Sequence, residues 1–366
     1  MSQLIAACLC KSRTFTAPLP PLPLPATCCH CTSCRHTTGS LYLATTAWPD
    51  PHVDLSALHA YPFSNNTTYY SCPTCSTHLF CRGTAADSPT EVFTGALPNV
   101  PGLVSYAKHI FIGDTVDGGA AVWLGSDVEK WNGGTGSDRL PADWSPPSPP
   151  AGGDTPTATP ETTPIKCHCG GVDLLLRNAS DLASVAKDKV PWYVDPASFR
   201  YAANVDACDS CRLSFGVDLS FWTFAGLDHV HFANGMKSFP GDFGELRRAV
   251  EDEKVGKMKV YSSSKGVDRY FCGGCAATVF YAVDEEGRTD MVDIAVGLLG
   301  HPDGARSEGL LTWNYGSVGW TEDAGGGWRE GMVRGALEGS EAWRVSKGVA
   351  KSWRRVKKEE EEKKET

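Results

Sequence analysis

Hydrophobic positions along this chain fall mostly in short runs, and most of these runs abut paired cysteines. Tyr69-Tyr70-Ser71-Cys72 and His78-Leu79-Phe80 flank one pair, and Arg269-Tyr270-Phe271-Cys272 and Thr278-Val279-Phe280 flank another. Each set reads as an aromatic or β-branched strand entering a tight turn and a second strand leaving it. Residues 91–97, ending Phe93-Thr94-Gly95-Ala96-Leu97, are paralleled by residues 294–298. The same text written twice predicts a mainly β chain built by internal duplication.

Helical spacing occurs in two places. Residues 243–255 set Leu246 and Val250 among charged residues, which predicts a helix. Residues 342–358 set Trp343, Val345, Val349, Trp353 and Val356 among basic residues, and a Glu/Lys run follows. This predicts a packed C-terminal helix ending in a solvated, frayed tail. Residues 141–164 hold eight prolines with Gly, Ser and Thr, a composition expected to be extended or disordered. Residues 18–25 form a smaller Pro-rich stretch, expected as a surface loop. The predicted division is a first β domain over 1–140, a linker over 141–163, a second β domain over 164–327 and a charged helical tail over 328–366.

A length of 366 residues suits two domains rather than one. A net charge of −9 argues against nucleic acid as the main partner, because phosphate binding draws on basic surface. No run of about twenty apolar residues exists, so neither a spanning helix nor a membrane partner is expected. The first eleven residues lack the basic start and apolar run of a secretory leader, which points to the cytoplasm or nucleus.

The 15 cysteines are an odd number in short clusters, a pattern for metal rather than for disulfides. Cys8-Leu9-Cys10, then Cys29-His30-Cys31-Thr32-Ser33-Cys34, then Cys72-Pro73-Thr74-Cys75 form one series. Cys167-His168-Cys169, then Cys208-Asp209-Ser210-Cys211, then Cys272-Gly273-Gly274-Cys275 repeat it. The interval from C-x-C to C-x-x-C is 62 residues in the first series and 103 in the second. The excess is expected in the 243–255 helix and between Cys169 and Ser198. Cys8, Cys10, Cys72 and Cys75 offer four thiolates for one closed zinc site, and Cys167, Cys169, Cys272 and Cys275 offer four for another. The glycines at 273 and 274 suit the tight turn such a knuckle needs.

Cys29, Cys31 and Cys34 offer only three ligands. A three-ligand zinc keeps a position for water or substrate, and its thiolate character suits an incoming thiol. Cys28 competes with Cys29 for this role. Cys81 is expected to be a semi-buried thiol. His30 and His168 are expected to face solvent or a backbone acceptor.

The string Cys29-His30-Cys31-Thr32-Ser33-Cys34-Arg35 with Thr38-Gly39-Ser40, set between the two outer pairs, resembles the glutathione-dependent formaldehyde-activating enzyme family, also called the CENP-V/GFA domain. Lys108-His109-Ile110-Phe111-Ile112 and Ala120-Ala121-Val122-Trp123-Leu124 resemble its closing segment. The resemblance implies two tandem Mss4-like zinc-binding β domains. It also implies carbon–sulfur lyase chemistry joining glutathione, or another small thiol, to a small aldehyde such as formaldehyde, or the reverse. By position it makes Cys8, Cys10, Cys72 and Cys75 structural ligands and Cys29, Cys31 and Cys34 catalytic ones. Arg35, Thr38 and Ser40 then either contact an anionic tripeptide or stabilise their own loop.

The second unit departs from this pattern. Asp206 stands where the first unit has Cys29, followed by Cys208 and Cys211, and Ser214-Phe215-Gly216 replaces the Thr-Gly-Ser string. Two structural zinc sites and one open site are therefore expected, with Asp206, Cys208 and Cys211 either a fourth site or empty. A non-enzymatic zinc module that binds a partner is the competing reading.

Overall fold

The computed structural model describes residues 2–125, 128–149, 160–235 and 238–365. The first half contains β1 (Gln3–Ala7), β2 (Thr14–Pro18), β3 (Leu24–Cys29), α1 (Thr32–Thr38), β4 (Leu43–Ala47), β5 (His59–Ser64), β6 (Thr67–Ser71), β7 (His78–Gly83), β8 (Thr90–Phe93), β9 (Val104–Ile110) and β10 (Glu129–Lys130). The second contains β11 (Thr162–Lys166), β12 (Asp173–Arg177), β13 (Tyr201–Asp206), α2 (Asp209–Phe215), β14 (Ser220–Gly226), β15 (Val230–Phe232), α3 (Phe243–Glu251), β16 (Met258–Ser264), β17 (Val267–Cys272), β18 (Thr278–Val283), β19 (Met291–Ala295) and β20 (Leu311–Trp313). Helices α4 (Trp328–Ser346) and α5 (Trp353–Glu365) close the chain.

The duplication is visible in the strand order. The first large sheet runs β5-β6-β7-β8-β4-β3-β9-β10, and the second runs β16-β17-β18-β19-β14-β13-β20. In each, the strand before the short helix pairs in parallel with a strand from the end of the unit: β3 with β9, and β13 with β20. Registers repeat as well. Tyr61 pairs with Tyr69 and Tyr261 with Arg269, and both hairpins shift register in the same place, between Pro62 and Ser64 and between Ser262 and Ser264.

The two halves share a core. Leu41, Tyr42, Trp123 and Leu124 of the first half belong to one buried cluster with Phe221, Trp313 and Tyr315 of the second. Trp123 is 1% exposed, lies edge-on to Phe221 and stacks on Tyr315 with centroids 5.4 Å apart. At the centre, backbone meets backbone. Gly297 N–H donates to Gly39 O at 2.8 Å, and Gly95 N–H donates to Gly216 O at 3.2 Å. Gly39 and Gly216 each end their helix in the left-handed region, at φ 86° and 76°. A Cβ on Gly297 would lie 2.1 Å from Ser40 O, and one on Gly95 would lie 2.3 Å from the Gly216 carbonyl carbon. Only glycine allows these approaches.

The contact crosses the hairpins between halves. His59 bonds Gly274 O at 2.9 Å and Tyr61 bonds His168 at 2.7 Å, so the β5–β6 hairpin reaches the second half's cysteine turns. In return, Tyr261 packs on the core that holds Cys8, Cys72 and Cys75.

Part of the second unit's excess length lies where expected, in the 3-10 turns Ser180–Ser184 and Lys187–Lys189 and in α3, and part lies around β15, where none was expected. Helix α3 ends at Glu251, short of the predicted 255, and starts at Asp242, whose carboxylate accepts from Glu245 N–H at 2.8 Å. The linker is tied down over its described part. Pro146 is buried, its carbonyl accepts from the Trp343 indole at 2.9 Å, and the Pro147 carbonyl accepts from Arg306. A segment without a core of its own is thus bound to a neighbour's. Residues 150–159 of the predicted linker lie outside the described residues. The tail is two helices rather than one. Trp343 is buried, but Val345 and Val356 are exposed, because α4 turns Val333, Ala336 and Ser340 inward instead. Among the described residues no helix is long and apolar enough to cross a membrane.

Gly297→Ala is expected to cost about 2–4 kcal/mol, read as a fall in thermal midpoint by circular dichroism. Gly331, in α4, has open space where a Cβ would project, with nothing within 4 Å, so Gly331→Ala should leave the midpoint unchanged or slightly raised. Equal midpoints for the two variants would remove the glycine contact from the account of the fold.

Candidate metal centres

Each four-cysteine group joins two distant turns. The β1–β2 turn carries Cys8 and Cys10, and the β6–β7 turn carries Cys72 and Cys75; the β11–β12 and β17–β18 turns carry Cys167, Cys169, Cys272 and Cys275. All four sulfurs of each group lie within 4.8 Å of one another. Two sulfur pairs are 3.5 and 3.6 Å apart in the first group, and two are 3.5 and 3.7 Å apart in the second. A tetrahedral ion with metal–sulfur bonds near 2.3 Å requires an edge of about 3.8 Å, so the donor set fits one.

Backbone amides support the sulfurs. Arg13 N–H points at Cys8 and Cys10 N–H at Cys75, and Val172 and Gly171 N–H point at Cys167 and Cys169. The residues after the second turn cysteines, Ser76 and Ala276, share the left-handed conformation at φ 60° and 63°. The predicted need for glycine is met at Gly274, where a Cβ would sit 2.9 Å from the Cys169 sulfur. Close approach sets that requirement, since neither Gly273 nor Gly274 has positive φ.

Cys29, Cys31 and Cys34 form the third gathered group. Strand alternation decides between Cys28 and Cys29: Cys28 faces the large shared core, and Cys29 faces the small cluster with Cys34, Tyr69 and Phe93. Cys31 is the N-cap of α1, its sulfur accepting from Cys34 N–H at 3.3 Å. Asp114 takes the free Thr32 N–H of the same first turn. Donation from the Cys29 and Cys34 thiols holds the Cys31 thiol far below its ordinary range, and the same sharing pushes Cys29 and Cys34 up.

The walls of this group come from residues that the cysteine spacing does not mark. Tyr69 Oη lies 3.4 Å from Cys34 Sγ, Phe63 stacks on Tyr69 at 4.2 Å, and His168 stacks on Phe63 at 4.9 Å. His168 belongs to the second half, and its backbone N–H donates to His36 O on α1. Its half-buried ring bonds Tyr61 Oη at 2.7 Å rather than a backbone acceptor. His30, unlike His168, is fully buried and bonds His109 at 2.8 Å, away from solvent. Cys81 is 9% exposed and lies 3.9 Å from Glu91 Oε2.

Thr38 and Ser40 are fully buried, their hydroxyls donating to Cys34 O and, across the halves, to Leu219 O. Burial takes them out of reach of a ligand and makes them loop-stabilising. Arg35 is 5% exposed; Nη2 donates to Thr32 Oγ1 at 3.1 Å, and Nε and Nη1 make no hydrogen bond among the described residues.

Asp206, Cys208 and Cys211 are not gathered as the other three groups are. Asp206 turns its carboxylate to Cys208 N–H at 2.8 Å, and burial pushes that carboxyl up to about 7. Tyr69's counterpart Arg269 points into the space beside Cys211. The aligned strings Tyr69-Tyr70-Ser71-Cys72 and Arg269-Tyr270-Phe271-Cys272 contained this signal, but a strand pattern does not reveal which face meets the cysteines.

A family model described as glutathione-dependent formaldehyde-activating enzyme matches residues 3–114. Those residues are similar to a domain of that family. The match covers the first four-cysteine group, the three-cysteine group and Asp114, and it spans 112 of 366 residues. Searches of curated proteins and of solved structures returned no match.

Cys75→Ala breaks a gathered group, whereas Cys28→Ala removes a buried thiol outside any group. The first is expected to cost at least about 3–5 kcal/mol and to make the remaining fold insensitive to chelation at that site. The second should cost about 1–2 kcal/mol, the price of a small cavity. Urea titration of both variants, with and without chelator, separates these outcomes.

Proposed function

We propose that the first half is a zinc-dependent carbon–sulfur lyase acting on a glutathione-type thiol and a small aldehyde such as formaldehyde. The observation that carries this reading is the gathered Cys29, Cys31 and Cys34 group inside the family-matched segment. Cys8, Cys10, Cys72 and Cys75, and Cys167, Cys169, Cys272 and Cys275, are read as closed structural zinc sites. The zinc held by Cys29, Cys31 and Cys34 would supply Lewis acidity at a position left free for an incoming thiol.

In the reaction a sulfur–carbon bond forms, the carbonyl π bond breaks, and the thiol proton ends on the new hydroxyl. Cleavage runs the same steps backwards. The chain's own residues shape the place where this happens. Phe63 and Tyr69 stand as an apolar wall that limits water, and His168 extends it from the second half. Arg35, buried, brings a positive charge close to the Cys31 thiol and favours its thiolate form. Asp114 fixes the first turn of α1 and so the spacing of Cys31 and Cys34.

The altered second unit favours one further reading, a binding role for that half. The second half would then serve the first as a wall and scaffold rather than as a second enzyme.

Exchange NMR of formaldehyde with glutathione measures the catalysed rate above the spontaneous one. The wild-type chain is expected to raise it, and Cys31→Ala with Cys34→Ala to return it to the spontaneous value. No difference between the two proteins would sink the proposal. His168→Ala should lower kcat/KM by roughly tenfold, about 1.4 kcal/mol of transition-state binding, with an unchanged zinc content.

A further inference from the structure

Because the strand registers repeat, each residue around Cys29, Cys31 and Cys34 has a positional counterpart. Asp206 bridges to Gly319 as Cys29 pairs with Ile110. Tyr69 and its partner Cys81 become Arg269 and its partner Tyr281. Phe63 and Ser263 occupy the same irregular position of their hairpins. One half thus has aromatic rings where the other has a cation and a hydroxyl.

Arg269 is 4% exposed, and each of its three guanidinium nitrogens donates one hydrogen bond. Nη1 donates to Cys211 Sγ at 3.7 Å, Nη2 to Ser210 Oγ at 2.8 Å and Nε to Ser263 Oγ at 3.1 Å. Its Cζ lies 4.9 Å from the Tyr281 ring centroid. A guanidinium keeps its charge at any accessible pH. A metal ion on Cys211 would have to sit within a few ångströms of that fixed charge, while the Asp206 carboxylate already accepts from Cys208 N–H and from the Cys211 thiol. Each of the three guanidinium nitrogens already donates within the protein, and Cys208 is half-buried rather than sealed.

We propose that the second half's middle site is a metal-free thiol site in which Arg269 supplies the positive charge beside Cys211, leaving Cys208 open to soft electrophiles. The contrast with the first half rests on the metal occupancy proposed there for Cys29, Cys31 and Cys34.

The test uses the full, zinc-loaded chain and N-ethylmaleimide, with modified cysteines located by peptide mass mapping. It is run with and without chelator at a level that leaves the circular dichroism unchanged. Cys208 should react at the same rate in both, whereas Cys29, Cys31 and Cys34 should react only after chelation. Protection of Cys208 that chelator lifts would overturn the proposal. Failure of the lyase reading would show elsewhere, as unprotected Cys29, Cys31 and Cys34 or absent turnover. Zinc content gives a second arm. Asp206→Cys alone should leave the count per chain unchanged, and Asp206→Cys with Arg269→Tyr should raise it by one. A gain in the single variant, or none in a double variant that keeps the wild-type spectrum, would also overturn it.

Discussion

The close approach of backbone to backbone at Gly39 and Gly297, and again at Gly95 and Gly216, governs the arrangement of the whole chain. No side chain separates the halves at these points, so each short helix is held at its C-terminal end by the other half's turn. A helix of seven residues has little stability of its own, and its position is inherited from what it packs against. Because Cys31 and Cys34 sit at the opposite end of α1, the geometry of the sulfur group depends on the contact at Gly39. The same docking lays the β5–β6 hairpin against the second half and brings His168 over Phe63.

The two middle sites show one backbone solving the same electrostatic problem in two ways. Buried thiols packed at a helix start attract a positive charge, and a buried charge without a partner is costly. In the first half three sulfurs converge, with Tyr69 and Phe63 contributing rings but no charge. In the second, one sulfur has become a carboxylate, and Arg269 enters from the strand position that Tyr69 holds in the first. The two changes are consistent with each other. Both changes fall in one packed and hydrogen-bonded cluster.

Much of this was legible in the sequence, because cysteine spacing and strand patterning are local signals. The C-x-C and C-x-x-C pairs marked the turns, and the repeated order of clusters marked the duplication that the two sheets display. The helical part of the second unit's excess length was legible because a helical period stands out from a β background, whereas β15 was not. What the sequence did not disclose is what crosses between halves. His168 was visible only as a residue between two cysteines, and its place above Phe63 depends on docking two sheets. The burial of Pro146 under Trp343 has the same origin, since composition describes a linker's own lack of a core and says nothing of a neighbour's. The split of the tail into α4 and α5 follows from Gly348 at φ 66°, which breaks a periodicity that Val345 and Val356 continue in the sequence alone.

These contacts bear on the size of the working unit. The family-matched segment ends at Asp114, whose carboxylate fixes the first turn of α1. Trp123, which seats the first half in the shared core, follows that segment, and His168 and Gly297 lie far beyond it. Cut at the boundary of the match, the first half would keep all seven of its gathered cysteines. It would lose the ring that extends their wall and the turn that holds their helix. The ligands are therefore local to one half, and the site they form is a property of both.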